Sequence, residues 1–427
     1  MKSENPREIA ARVLRRRGQE ADYTEKLLET ELGRGGLSPV DRALCQELVY
    51  GMVRWQATLD WLVARKTGNR EQNSALRILL HLGLYQLFWL QRIPNHAAVH
   101  ETVELGKRLG FGAQAGFLNA VLRGYTRERE ATVSELEKLK KSDPAIGYSH
   151  PAWLVERWTA RWGAEKTAQL LQGNNTPPPL YARLNLLKTD AAKLTEAWNN
   201  EGVQFTERKW DWTGANSVFE LLSHPPLAQN ESFKSGWFYV QDPSTLLAVN
   251  ELGARPGETV LDLCAAPGGK TVYIAQQMKN TGRIVACDNQ PARLELVREN
   301  CVRLGVTCVE YSQPATPASF DRILVDAPCS NTGVLRRRVD LRWRIKPDEL
   351  TRLRRTQLAL LEQCSGLVKP GGTLVYSTCS LEPEENESVT TEFLEAHRDF
   401  TLEQQRQLLP FEDGVDGAYV ARLRKSG

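Results

Sequence analysis

The chain has 427 residues, a net charge of +3 and 41% hydrophobic residues, enough for two or three domains with a sizeable core. No apolar run is long enough to span a bilayer, and the N-terminal M-K-S-E-N-P-R-E lacks the apolar stretch of a signal peptide, so a cytoplasmic protein with no membrane association is expected. The eight cysteines form no C-x-x-C pair and no histidine pattern lies near them, which argues against a metal site and a disulfide framework and for free thiols.

Residues 1 to about 130 read as all helix, with apolar residues at helical spacing in Ile9-Ala10-Val13-Leu14 and Leu44-Leu48-Val49-Met52-Val53. Ala75 to Leu90 is apolar nearly all round and reads as the central helix of a bundle. Further helices are expected from Ala97 to Arg108 and from Ala115 to Arg127. Arg12, Arg15, Arg16 and Arg17 crowd the first helix, as a solvated face or a nucleic-acid contact. The stretches D-R-A-L-C-Q-E-L-V-Y-G-M-V-R-W at 41–55, L-R-I-L-L-H-L-G-L-Y-Q-L at 76–87 and G-F-L-N-A-V-L-R at 116–123 resemble the NusB-type helical RNA-binding domain.

Residues 128–150, charged and then rich in turn formers, read as a linker. A helix starting at S-H-P-A-W-L-V-E-R-W, strand-like pieces at Leu180–Leu184 and Val218–Leu222, and a helix at about 190–201 suggest a small α+β subdomain. Its tryptophans, Trp153, Trp158, Trp162, Trp210 and Trp212, could stack on bases, although core packing is the simpler reading. From about Leu252 strand and helix alternate, T-V-L-D-L-C, R-I-V-A-C-D, R-I-L-V-D and T-L-V-Y-S-T-C, which implies a parallel, doubly wound sheet.

Two cysteines, Cys329 in D-A-P-C-S and Cys379 in S-T-C-S, each follow the carboxyl end of an apolar strand. In an open parallel sheet that edge is where ligands bind, so the thiols could face one crevice, against the bland alternative of buried free cysteines. The first strand runs into C-A-A-P-G-G-K-T at 264–271. Small residues there let backbone approach a ligand, and the next helix start offers free N–H groups. Cys264 stands where a phosphate-binding loop needs its first glycine, and the dinucleotide fingerprint is absent. With Asp288 closing the second strand as a ribose acceptor, a nucleoside cofactor without pyrophosphate, such as S-adenosylmethionine, fits these residues.

L-D-L-C-A-A-P-G-G-K-T at 261–271, D-A-P-C-S at 326–330 and Y-S-T-C-S-L-E-P-E-E-N-E at 376–387 resemble the RNA cytosine-5 methyltransferase family, and with the NusB-like front the whole chain is most similar to the RsmB/Sun (Fmu) type acting on 16S ribosomal RNA. The resemblance implies an all-α NusB-like domain (1–130), a small α+β RNA-recognition subdomain (145–235) and a Rossmann-like α/β methyltransferase domain with a mostly parallel sheet (236–427). It implies transfer of a methyl group from S-adenosylmethionine to carbon 5 of a cytosine in small-subunit ribosomal RNA, with Cys379 as nucleophile and Cys329 assisting proton removal and product release. A monomer is the default expectation for the chain. Asp326 would meet the cytosine edge and lie near the cofactor, whose loop is Cys264, Ala265, Ala266, Pro267, Gly268, Gly269 and Lys270, with Asp288. Order along the chain does not say which cysteine attacks; that assignment comes from the resemblance.

The basic stretch Arg336, Arg337, Arg338, Arg342, Arg344 and Lys346, with Trp343, reads as phosphate contacts beside the site. Two positions depart from the family pattern. Ser312 or Gln313 stands where an acid is expected near the adenine, and Arg337-Arg338-Val339-Asp340 replaces a basic-His-Pro-Asp run. The competing readings are an amino-group methyltransferase, which needs neither thiol, and a non-catalytic RNA-binding factor.

Overall fold

The computed structural model describes residues 5–20, 22–214, 217–312 and 319–427. The chain forms two compact units, one of Met1–Thr176 with Arg338–Arg344, the other of Pro177–Arg337 with Ile345–Gly427.

The first unit is helical: α1 (Pro6–Arg17), α2 (Thr24–Gly33), α3 (Pro39–Arg54), α4 (Gln56–Thr67), α5 (Ser74–Trp89), α6 (Asn95–Arg108), α7 (Ala115–Arg127), α8 (Arg129–Ser142) and α9 (Ala152–Asn174). Side chains of Asn5, Ser38 and Asn73 cap α1, α3 and α5, accepting amide hydrogens the first turn cannot use. Helix α5 buries residues on every side, including Leu76, Leu80, Leu84 and Leu87. Its close packing on α3 depends on Gly51, where a Cβ would lie 2.0 Å from the Tyr85 ring. The expected linker after residue 128 is instead α8. Its Glu, Leu and Lys residues are good helix formers, Leu136 packs on the core, and Glu135 pairs with Arg65 at 2.6 Å.

The arginines of the two basic runs are largely committed inside the protein. Arg12 and Arg16 both bind the buried Glu31, at 3.0 and 2.9 Å. Arg17 meets Asp340 at 2.6 Å, and Arg344 meets the same carboxylate at 2.8 Å. Arg342 is fully buried and donates to the carbonyls of Ser149 (3.1 Å), Asn174 (2.9 Å) and Arg54 (3.3 Å) and to Asn175 Oδ1 (2.8 Å). Trp343 donates its indole N–H to the Val53 carbonyl. The departure at Val339 places an apolar side chain in this packing, 3% exposed. The phosphate-contact reading of this stretch is therefore corrected for Arg342 and Arg344, whose hydrogens go to helix-end and loop carbonyls and to Asp340, and Trp343 packs in place of stacking on a base.

In the second unit, β1 (Leu180–Leu184), α10 (Ala191–Asn200), β2 (Gln204–Arg208), β3 (Val218–Ser223) and β4 (Phe238–Val240) form an antiparallel sheet in the order β2-β3-β1-β4. Fully buried Trp198 of α10 packs edge-on to Phe219 and Phe238 and fills its core. Trp212 is buried and Trp210 partly so, and their indoles donate to backbone carbonyls. Then follow α11 (Ser244–Leu252), β5 (Thr259–Leu263), α12 (Gly269–Gln277), β6 (Arg283–Cys287), α13 (Pro291–Leu304), β7 (Val309–Tyr311), β8 (Phe320–Asp326), α14 (Pro347–Ser365), β9 (Val368–Thr378), α15 (Glu387–Ala396), β10 (Phe400–Leu408) and β11 (Ala418–Lys425). Their sheet has the order β10-β11-β9-β8-β5-β6-β7, parallel from β9 to β7, with β10 and β11 antiparallel at one side. Buried on both faces, β5 and β8 are nearly continuous apolar runs, as parallel strands require. The order turns at β5, and a sheet of this kind opens a ligand crevice at that switch point.

Arg336 and Arg337 are also committed, to the buried carboxylates of Asp242 (3.2 and 2.8 Å) and Asp416. Arg338 and Lys346 are the members of the run that remain exposed. No helix among the described residues is long and apolar enough to cross a membrane.

Two tests follow from this packing. Arg342→Ala orphans several buried carbonyls at about 1–3 kcal/mol each, so thermal melting should fall by roughly 5–10 °C. An unchanged melting temperature with weakened RNA binding would restore the phosphate reading. Asp262, inside β5, is fully buried, and burial raises its pKa to about 7 against the Thr271 hydrogen bond that works to lower it. An acid whose folded pKa is raised stabilises the fold below its unfolded pKa and loses that contribution as pH rises towards 7. Asp262→Asn, which can still accept from Thr271, should therefore gain stability relative to the parent across this window. A pH-independent difference in melting temperature would contradict the assignment.

Candidate active site

The crevice is built from four strand ends. Strand β5 ends at Leu263 and turns through Cys264, whose positive φ of 66° starts a tight loop. Ala265 N–H bonds to the Cys287 carbonyl at 2.8 Å, tying the loop to β6. The Ala266–Pro267 peptide is cis, and Gly268 has φ 103°, where a Cβ would lie 3.1 Å from Val297. Helix α12 starts at Gly269 with no side-chain cap, so its first-turn amides have no intrahelical partner. The residues 264–270 thus form one contiguous loop.

Asp288, at the end of β6, is 3% exposed and braces that loop. It accepts from Ala266 N (3.3 Å) and Gln290 N (3.0 Å) and lies 3.4 Å from Arg293. Arg293 in turn donates to the Ala266 carbonyl at 3.1 Å. Of the two positions where an adenine-side acid is missing, Ser312 bonds through its amide to the Ala286 carbonyl, and Gln313 lies outside the described residues.

Asp326 ends β8 in register with Ser377 of β9. Its carboxylate accepts from Lys270 Nζ at 2.6 Å and from Ser377 Oγ at 2.8 Å. Burial works to lower the Lys270 pKa, but the charge and hydrogen bond of Asp326 outweigh it and hold the ammonium above its ordinary value. The same register brings the thiols together: Cys329 Sγ lies 3.3 Å from Cys379 Sγ. Cys379 is half-buried and donates to Asn331 Oδ1 at 3.1 Å; Asn331, at φ 58°, anchors its amide on the Cys329 carbonyl. Cys329 is buried, and its hydrogen bond with Cys379, then desolvation, raises its pKa well above the ordinary thiol value. The remaining cysteines are not paired with a thiol in the crevice. Burial pushes Cys264 and Cys364 up to about 12 and Cys287 up to about 11, which leaves them inert thiols.

The geometry therefore unites Cys329, Cys379, Asp326 and Lys270 with the 264–270 loop. Asp288 sits in the same loop as a brace. Chemically, the set offers two thiols in contact, a carboxylate held by an ammonium, and free amides at a helix start. Acceptors at Asp288 and Asp326 with donors at Lys270 and the α12 amides suit a cationic nucleoside carrying an amino-acid tail, and this donor set fits S-adenosylmethionine. Asn331 and Glu385 escaped the residue-level reading. Asn331 directly follows D-A-P-C-S and Glu385 lies inside Y-S-T-C-S-L-E-P-E-E-N-E, but a polar residue in a loop carries no periodicity to mark its partners.

Residues 249–424 match the 16S rRNA methyltransferase RsmB/F family, residues 4–127 the NusB family, and residues 150–214 the ferredoxin-like domain of RsmF/B-like methyltransferases. The chain is 35% identical to the probable ribosomal RNA small subunit methyltransferase B of Bacillus subtilis over 100% of both chains. It is 37% identical to the protein of the same description from Synechocystis, covering 98% of this chain and 99% of that one. The crystal structure of a methyltransferase homolog from Pyrococcus horikoshii, 32% identical, superposes with a TM-score of 0.57 over 68% of this chain and 99% of that one. Full-length identity at this level, with the catalytic module, the NusB domain and the ferredoxin-like domain in one order, means that the chain belongs to the RsmB/F family of S-adenosylmethionine-dependent 16S ribosomal RNA methyltransferases.

Proposed function

We propose that this chain methylates carbon 5 of a cytosine in small-subunit ribosomal RNA through a covalent adduct with Cys379. The observation that carries the reading is the contact of two thiols, 3.3 Å apart, beside the Lys270–Asp326 pair at the ends of β8 and β9. Amino-group methylation has no use for such a pair. Carbon 5 of cytosine is a weak nucleophile, and a thiolate added at carbon 6 makes it an enamine.

Cys379 is the nucleophile because it is the more accessible sulfur and its thiolate attracts the Lys270 ammonium. Cys329, held as a thiol, donates its hydrogen to that thiolate. Attack forms the S–C6 bond and pushes electrons onto the ring, where Asp326, backed by Lys270, meets the edge carrying N3 and the amino group. When bound through the 264–270 loop, Asp288 and Asp326, S-adenosylmethionine supplies an electrophilic methyl group on a sulfonium. Carbon 5 takes the methyl group and then holds both methyl and hydrogen. The thioether at Cys379 no longer accepts the Cys329 hydrogen bond, so the chief cause that raises the Cys329 pKa disappears. Cys329 can then release its proton to solvent and, as thiolate, accept the one on carbon 5. The C5–C6 double bond re-forms, and Cys379 leaves as thiolate.

We assign residues 1–130 and 145–235 to RNA contact and 236–427 to catalysis, in a cytoplasmic monomer that binds no metal. The target cytosine is unpaired or flipped out when it reacts. In the first unit a cleft of about 740 Å³ between α6 and α7 carries His96, His100, Lys107, Arg123 and Arg127 and suits a phosphate backbone.

Methyl transfer from labelled S-adenosylmethionine to unmodified small-subunit RNA, with bisulfite mapping, tests the reading. One protected cytosine is expected, with Cys379→Ala losing about 10³-fold or more of the rate. Cys329→Ala should form the adduct and fail to release it, leaving a protein–RNA band on denaturing gels. Activity in Cys379→Ala would refute the nucleophile. Separately, replacing Arg123 and Arg127 by Ala should each reduce the slope of log affinity against log salt by about 1, and an unchanged slope would remove the cleft from the RNA path.

A further inference from the structure

The thiol pair must be held at contact distance by something, because two loops leaving different strands have no intrinsic reason to stay in step. Cys329 and Cys379 have different neighbours along the chain, but each is followed by a serine, Ser330 and Ser380. Both serines converge on one carboxylate. Glu385 accepts from Ser330 N at 2.8 Å, from the hydroxyls of Ser330 and Ser380, and from Gln357 Nε2 at 3.0 Å. It is fully buried. Its own carbonyl accepts the Tyr376 hydroxyl, fastening it to β9. The next residue completes the grip: Asn386 Oδ1 accepts from Thr378 Oγ1 at 2.6 Å, and its amide donates to the Ser380 carbonyl at 2.9 Å, so the residues on both sides of Cys379 are pinned.

Glu385 Oε1 takes the Ser330 N–H and the Gln357 NH2, and Oε2 takes the two serine hydroxyls, so one side chain ties both loops together. Burial pushes its pKa up, and the donors around it work in the opposite direction. A negative charge at Glu385 is among the causes that raise the Cys329 pKa.

We propose that Glu385 is a positioning residue for catalysis: one buried carboxylate binds the residue after each cysteine and thereby sets the distance and proton sharing of the thiol pair. The proposal rests on the two-thiol reading of the site. It goes beyond that reading by giving the motif E-P-E-E-N a mechanical task, remote from substrate.

Glu385→Leu keeps a similar volume but offers no acceptor to the Ser330 amide, the Gln357 side chain or the two hydroxyls. The full-length variant is compared with the parent in three measurements. The first is the rate at which diamide, a thiol oxidant, cross-links Cys329 to Cys379, read by peptide mapping as the loss of two hydrogens. The second is the pH midpoint for alkylation of Cys329. The third is turnover on RNA, with S-adenosylhomocysteine affinity by calorimetry as a control on the cofactor loop. Cross-linking should slow about tenfold and kcat fall about 10²-fold, with cofactor-product affinity held within about twofold. The Cys329 midpoint should move down, which a merely structural role would not produce. Parental cross-linking and kcat in a folded Glu385→Leu protein would overturn the proposal. If that variant does not fold, Ser380→Ala, which removes one donor and leaves the carboxylate, decides: slower cross-linking supports the clamp and an unchanged rate overturns it. Because cross-linking needs no RNA, failure to methylate any RNA would strike the cytosine reading and leave this measurement standing.

Discussion

Everything in the catalytic unit depends on the parallel pairing of β8 with β9, in which Asp326 stands opposite Ser377. That register fixes which side chains leave the sheet together. A slip of one residue would turn the whole β9 set to the other face. With the register as it is, Asp326 takes Lys270 from the neighbouring loop and Ser377 from the neighbouring strand. Three residues past Asp326 and two past Ser377, the chain delivers two thiols to the same place. The chemistry is thus a product of strand alignment more than of any individual loop. Gly333 shows how tightly the loop must then fold, since a Cβ there would lie 2.8 Å from the Cys379 carbonyl.

Charge is arranged around that contact with little redundancy. The ammonium of Lys270 lies on one side, next to Asp326, and the carboxylate of Glu385 lies behind, next to Ser330. A cation near Cys379 and a carboxylate near Cys329 give two chemically identical side chains different surroundings. Placed in water, the same two thiols would be equivalent.

Much of the fold was legible in the residues themselves. The apolar run through Asp262 and those ending at Asp288 and Asp326 mark parallel strands, because strands covered on both faces need no alternation. Ala115–Arg127 and Leu180–Leu184 came out with their observed ends because glycine, proline and charged residues punctuate them. The segment after residue 128 did not: its charge and lack of a strong apolar stripe look like a linker, and the pairings that make it helical involve Arg65, far away in the chain. The basic run misled for the same reason. Six cations close in sequence say nothing about the carboxylates and carbonyls that wait for them, and Asp242 and Asp416 lie on either side of the run at long sequence separation. The thiol pair was visible as two strand ends. Glu385 was not, because a buried carboxylate announces itself only through its donors.

The short run Arg338–Arg344 has a consequence for how the protein can be taken apart. It is encoded within the stretch that builds the catalytic unit, yet it belongs to the helical one. Arg342 supplies hydrogens to the carbonyls of Arg54, Ser149 and Asn174, all of them in the unit's leading stretch. A fragment that stops at Thr176 would inherit the acceptors without the donor. The two units are modules by compactness but not by excision, and recombining this helical front with a foreign catalytic partner would need the loaned segment carried over with it.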